Sequence, residues 1–436
     1  MPVSLPPALS PATGAAVHSP PTPRTHPGWA LMILVAAAAA IAYRAPGALA
    51  LPQFWAEDAV IFFIEQRSLG LASLIHPYAQ YLHLIPRAVA QAASLFPTAM
   101  APAIYGITAF LISSLALGYF ILSLRSSAAR LMAILASFLA LTNGEIYGTL
   151  TNVQWFLQLF LVSACLTPRT AIGPISARVG PVLILIASLT GPFSVITALL
   201  LVGWLLFSAL PVPGNMALVL RAQLRQLSGP RVCALALGAG IQLYFLLTSN
   251  HQPPHQTLGQ ALTELPAIVQ IHSFGIDWMP KAAVLSAIGA LVLALLLPLG
   301  QAGEDRHDRI LLAFTLVFGL VQTLGGMTKM GIPMDIGGGD RYLYAFKLAL
   351  WSSLPLIAVR PGRWRILMLA LATLLLAVTA YRNPQWLVRT SLPDLRWEQY
   401  APALDRNEAV VIPIHPIPWE AHVPARAPAP ASAPRP

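Results

Sequence analysis

The sequence predicts an all-α, polytopic transmembrane helix bundle of about eleven spans, with interfacial helices in the first outer loop. Three observations predict it. Of the 436 residues, 56% are hydrophobic and only 10% charged, at a mean hydropathy of +0.68; a soluble chain this long could not cover its surface with so few charges. The apolar residues fall in blocks near 28–43, 99–123, 131–142, 153–166, 180–190, 194–210, 232–248, 282–300, 310–327, 342–359 and 366–381, several of them shorter than the ~20 residues of an ordinary span. Basic residues gather in alternate gaps: Arg125 and Arg130, Arg169 and Arg178, Arg221, Arg225 and Arg231, Arg306 and Arg309, then Arg360, Arg363 and Arg365. Since Lys and Arg favour the cytoplasmic side, the expected N-terminus is cytoplasmic, the C-terminus extracytoplasmic, and the location a plasma (inner) membrane crossed many times.

The segments then follow in order. Residues 1–27 are rich in Pro, Ser, Thr and Ala and read as a disordered cytoplasmic N-terminus. Residues 28–381 form the transmembrane domain, with a first outer loop at 44–98. The block Gly28–Tyr43 reads as a retained first helix; a cleaved signal peptide ending at Ala48–Ala50 would leave the next loop on the same side. Residues 382–422 form a small extracytoplasmic segment in which "AVVIPIHPIPWE" suggests one strand and an extended piece. Residues 423–436 are a Pro/Ala-rich disordered tail. The net charge of +10 would suit nucleic acid, but its arginines sit in the breaks between spans, so no nucleic-acid partner is expected and membrane lipid is. The two cysteines, in or beside apolar blocks, form no disulfide framework and have no metal spacing.

This topology places the unusual polar residues on one side. "FWAEDAVIFFIEQR" (54–67) sets Glu57 and Asp58 at the head of an apolar run. As a helix from Ala56 it aligns Asp58, Phe62 and Glu65, and Val60, Ile61, Phe63 and Ile64 would then lie in the membrane interface. The ordinary reading of one acid there is a favourable charge at a helix N-terminus. Two acids crowd each other, and one should have a raised pKa suited to general-base work. "HPYAQYLHLIPR" (76–87) adds Tyr78, Tyr81, His83 and Arg87, the last wanting a partner in lipid headgroup, Glu57 or a phosphate. "NGEIYGTLTNVQW" (143–155) adds Glu145 and Asn152, and "GIPMDIGGGDRYLYAFK" (331–347) adds Asp340, Arg341 and Tyr342 behind three glycines. Prolines between His251 and His255 forbid a two-ligand metal helix, so that stretch reads as loop, and "GEDRHDR" (303–309) reads as an ordinary solvated turn. Phosphate-loop and dinucleotide fingerprints are absent from the sequence.

An acid pair in the first outer loop, followed by interfacial helices and about eleven spans, resembles the GT-C superfamily of membrane glycosyltransferases. The stretches "AED", "Y-x-x-Y-L-H-x-x-P-R", "TN-x-QW", "TGPF" and "G-G-D-R-Y", here at 56–58, 78–87, 151–155, 190–193 and 338–342, are also similar to those of bacterial membrane proteins. The resemblance implies inverting transfer of a sugar from a polyprenyl-phosphate donor to an acceptor on the extracytoplasmic face. In it a first-loop acid, Glu57 or Asp58, acts as base; in some members that acid helps hold a divalent cation, Mg or Mn. Because phosphate leaves as a stable anion, such a site needs a base and cationic groups, and no general acid. Asp58 ranks above Glu57 by its helix face, and Arg87 and Arg341 stand as phosphate ligands beside Tyr78, Tyr81, His83, Asn152, Asp340 and Tyr342. Two rivals are a transporter or flippase of a lipid-linked sugar, which would keep its ionisable groups mid-membrane, and a surface-polysaccharide polymerase or ligase.

Overall fold

The computed structural model describes residues 27–169, 173–209, 216–249, 253–300, 305–332, 335–357 and 362–425. The first 26 residues, the tail from 426, His251, and parts of the 303–309 and 331–347 stretches lie outside them. The described chain is mostly helical, and its single sheet has two strands. A helix lies over every apolar block of the sequence. Five are long and apolar enough to cross a membrane: Pro27–Arg44, Thr98–Ser123, Gly229–Thr248, Arg306–Met330 and Arg363–Arg382.

Burial sorts the helices into a centre and a rim. Every residue of Tyr344–Ser353 is buried, as is nearly every residue of Gln154–Leu166, and both pack on Arg306–Met330. The rim helices Pro27–Arg44, Gly229–Thr248 and Arg363–Arg382 bury only narrow stripes and expose leucines such as Leu31, Leu237, Leu247 and Leu374. Apolar groups face outward while Gln158, Ser163, Gln242 and Thr315 are buried. That inversion suits a hydrocarbon solvent, which lets no backbone or side-chain polar group go unpaired.

The two ends of the bundle are tied by side chains that bond the main chain. At one end buried Asp308 accepts the amides of Arg125 (2.8 Å) and Ser126 (2.7 Å), capping the Ser127–Leu139 helix from a neighbouring element. Asp305 pairs with Arg365 there, and Arg231 reaches the Ala164 and Ser176 carbonyls. The described part of the 303–309 stretch is therefore no solvated turn: His307, Asp308 and Arg309 are buried in the first turn of the Arg306–Met330 helix. At the other end Arg44 donates to the carbonyls of Ser137, Ala140 and Leu387.

Two further expectations are corrected. The loop after Thr248 contains the helix Leu258–Phe274, opened by a Thr257–Gln260 capping box and closed by Gly275 in the left-handed region. The C-terminal segment holds two strands rather than one, Val410–Pro413 against Glu420–Val423, and Trp55 pairs with His415 beside them.

Gln242, fully buried on Gly229–Thr248, reaches the loops at the second end. Its Oε1 accepts from Leu82 N (2.8 Å), and its Nε2 is shared among the carbonyls of Leu82 (3.1 Å), Gly191 (3.0 Å) and Ser188 (3.2 Å). Replacing it with leucine strands buried backbone groups. We expect Gln242→Leu to cost about 2–4 kcal/mol, measured as a lowered unfolding midpoint in detergent, with faster proteolysis between residues 76 and 83. A midpoint equal to the parent's would deny the clamp.

Candidate functional site

The acid pair splits. Phe54 and Ala56 bond His415 across a parallel bridge, His415 N donating to Phe54 O (3.1 Å) and Ala56 N to His415 O (2.5 Å). Ala56 sits at φ +33°, where a side chain is strained, and a π-helical turn then runs over Asp58–Phe63. Adjacent residues on such a turn face different ways. The Asp58 carboxylate is buried, its Oδ2 accepting from Leu150 N (3.0 Å) and Oδ1 from Thr151 N (2.6 Å). It therefore caps the turn that opens Gln154–Leu166. Burial pushes it up to about 8, the two amides pulling the other way and Glu57 adding a small rise. Glu57 stays half-buried and meets the Tyr78 hydroxyl at 3.5 Å, the long limit of a hydrogen bond.

The expected membrane-facing run also changes place. Phe63 is buried against Phe54 and Trp397, and Val60, Ile61 and Ile64 pack on the core. From residue 54 to the end of the loop, the large apolar groups that remain exposed are Leu69, Leu71, Ile75, Leu95 and Phe96, at the far ends of the loop helices.

Tyr78 and Tyr81 exchange both backbone hydrogen bonds (3.0 and 3.1 Å) around a two-residue turn with Ala79 and Gln80 at positive φ. Asn and Gly dominate such turns, so Ala-Gln stores strain here. The Lys329 ammonium holds the tip, donating to Ala79 O and Gln80 Oε1. Tyr81 stacks on His83 at 4.4 Å, and burial drives that imidazole down to about 3, helped by Arg87. His83 is thus neutral, and its backbone pairs with Thr190 of "TGPF".

Arg87 is fully buried beneath Phe62 and pairs with Glu65 (2.7 Å), which also meets His76 (3.0 Å). Its partner is this acid, three residues beyond Phe62, rather than Glu57 or a headgroup. Asp340 is likewise consumed within the fold: its Oδ1 receives His272 Nδ1 (3.1 Å) and Lys347 Nζ (2.5 Å). Burial alone would raise Asp340, but Lys347 and His272 hold it down at about 2.

Arg341 is different. It is partly exposed, pairs with Glu145 at 3.2 Å and lies beside the Tyr342 ring. Burial opposes its charge, yet Glu145, Tyr342 and Glu57 together raise it. Glu145 is raised by burial against the pull of Arg341. Tyr78 is pushed to about 12 by burial and by Glu57, and Tyr81 feels Tyr342 and Arg341. Asn152 accepts from Trp155 Nε1 (2.9 Å), and Trp155 packs edge-on to Tyr342. Glu57, Tyr78, Tyr81, Glu145, Arg341 and Tyr342 therefore form one electrostatic neighbourhood, with His83 and Asn152 buried behind it and Asp58, Arg87 and Asp340 bound into its walls. Such a neighbourhood brings a carboxylate, a guanidinium and phenol rings together. Among the described residues no three His, Cys, Asp or Glu side chains are grouped to hold a metal. With Asp58 committed to amides, the acid pair does not fit a divalent-cation site.

The sequence reading passed over Gln242, His272 and Lys347. Each is a polar or basic residue inside an apolar run, "GAGIQLYF", "PAIVQIHSF" and "YLYAFK", and that signal alone marks a residue with an internal partner.

No protein-family model, curated protein or solved structure matches the chain. What stands is its class: a mostly helical protein with five helices long and apolar enough to cross a membrane.

Asp58 makes a pH test. Burial lifts its pKa from an ordinary 3.8 to about 8, so the folded form binds the extra proton between those values. The contribution of Asp58 to stability is therefore fullest below pH 4 and declines as pH rises toward 8. The difference in unfolding midpoint between the parent and Asp58→Asn should shrink over that interval. A difference that stayed constant from pH 4 to 8 would show the carboxylate already ionised throughout.

Proposed function

We propose that the protein is a membrane glycosyltransferase of GT-C type with about eleven spans, taking a sugar from a polyprenyl-phosphate donor on the extracytoplasmic face of the plasma membrane. The observation that carries this is the meeting of five separated stretches, at 56–58, 78–87, 151–155, 190–193 and 338–342, in one polar cluster at one end of the bundle. The arginines of the alternate gaps, among them Arg125, Arg231 and Arg365, bond at the opposite end. By the positive-inside rule that end is cytoplasmic and the cleft faces outward.

In this reading Glu57, not Asp58, is the base. It is half-buried and faces Tyr78, whereas the Asp58 oxygens are spent on amides. Arg341 receives the donor phosphate, a planar fork that exchanges Glu145 for phosphate oxygens as the donor enters. Arg87 holds the loop through Glu65. Attack by the Glu57-activated acceptor opposite the departing phosphate inverts the anomeric centre, by the geometry that governs inverting hydrolases. The step balances with one proton passing from acceptor hydroxyl to carboxylate and the bonding pair leaving with the phosphate.

The test is transfer of labelled sugar from a polyprenyl-phosphate donor by purified, reconstituted protein. Glu57→Gln keeps the shape and removes the base, and should lower the rate ~10²–10⁴-fold while the unfolding midpoint holds. Arg341→Lys should weaken donor binding with less effect on the midpoint. Transfer at the parent rate in Glu57→Gln would sink the assignment of the base; donor affinity unchanged in Arg341→Lys would sink that of the phosphate ligand.

A further inference from the structure

Beside Trp55 lies a small, shallow opening whose lining does not include Glu57. Its walls come from the short helix Gly47–Ala50 and its cap (Ala48, Leu51), the second loop (Thr149) and the C-terminal segment (Arg389, Thr390, His415). Arg389 lines it with its guanidinium over the Trp55 ring at 5.3 Å and Nη1 donating to Tyr147 O at 2.9 Å.

The chain has shaped itself around this arginine. Gly144, at φ +80°, passes so close that an added Cβ would come 2.6 Å from Arg389 Cβ. Gly148, at φ +70°, would clash with Ala48 at 2.4 Å. Either position would force the loop away from the guanidinium.

The charge balance there is unusual. Arg87, Arg341, Arg365 and Lys347 each have a carboxylate. Arg389 has none among the described residues, and Arg44, whose carbonyl receives Arg389 N at 2.8 Å, spends its own guanidinium on three backbone carbonyls. Burial depresses Arg389 to about 10 with no acid to offset it. A cation with no counter-charge in a lined opening attracts an anion.

We infer that this opening is a phosphate-binding site, centred on Arg389 over Trp55 and separate from the Glu57 cleft. A guanidinium held over an indole, with Nη1 on the Tyr147 carbonyl, keeps further N–H groups that match phosphate oxygens. Exposed Leu51, just past the short helix Gly47–Ala50, lines the mouth, and at a membrane surface phosphate is the abundant anion. The phosphate belongs either to a lipid headgroup or to a soluble phosphate ester. The site does not depend on the transfer reading.

Full-length protein in phosphatidylcholine nanodiscs, titrated with inorganic phosphate and followed by calorimetry, is the test. Saturable binding is expected, weakened roughly 10- to 100-fold in Arg389→Gln and less in Arg389→Lys, which keeps the charge but loses the fork. The same titration in nanodiscs containing phosphatidylglycerol separates the sources. Competition by the lipid identifies a headgroup, and equal affinity in both identifies a soluble phosphate. Glu57→Gln should bind phosphate as the parent does, so failure of the transfer proposal leaves this result readable. If Arg389→Gln does not fold, Arg389→Lys and Thr390→Val carry the comparison. Phosphate affinity unchanged in both, or no saturable binding by the parent in either nanodisc, overturns the site.

Discussion

Two backbone amides, at Leu150 and Thr151, close on one buried carboxylate, and the architecture of the Glu57 end hangs on that contact. A loop between helices in a lipid-facing bundle cannot leave its main-chain groups to water, because much of it is packed. Asp58 satisfies two of them from another loop and so fixes the first loop against the second. The same device recurs at the opposite end, where Asp308 takes the amides of Arg125 and Ser126. Gln242 does it with an uncharged side chain for the loops at Leu82 and Gly191. Three side chains, each inside or beside an apolar run, hold the connections that the helices alone would leave loose.

That device also explains why adjacent acids have different fates. A buried carboxylate with each oxygen accepting a backbone amide is fixed in place and turned away from the surface. Its neighbour, one residue back on a π-helical turn, is released toward Tyr78 and Arg341. Asp58 is therefore the support that places Glu57, and the strained Ala56 is the kink that lets both occur within two residues.

The helices were legible because apolar blocks of this length declare themselves, and a helix lies over each one. The gathering of the five stretches was legible in part, since all fall at span ends on one side. Which acid would be buried was not: helical spacing put Asp58 with Phe62 and Glu65, but a π turn replaces the assumed α period at that point. The partner of Arg87 was missed because pairing was sought across the loop, whereas Glu65 belongs to the next turn of the same segment. Leu258–Phe274 escaped because its Pro266 and its polar residues mask the period of a helix lying beside the bundle. The strands near the C-terminus depend on pairing partners that no local pattern specifies.

Charge placement bears last on the choice between enzyme and transporter. A carrier moves its ligand past ionisable groups at mid-membrane. Here the deepest pair, Asp340 with Lys347, is closed by His272 and by the Leu141 carbonyl, and sits where the 335–343 loop enters its helix. Separating such a pair would strand a buried charge, at a cost of several kcal/mol, so it serves as a fixed joint rather than a moving one. It holds Asp340 still, and Arg341 is the next residue. The group left free to exchange partners is therefore Arg341, at the mouth of the cleft with Glu145 and Glu57 in reach. On the proposed reading, a fixed wall with Arg341 at its edge suits a site that receives an anionic donor and releases it on the same side.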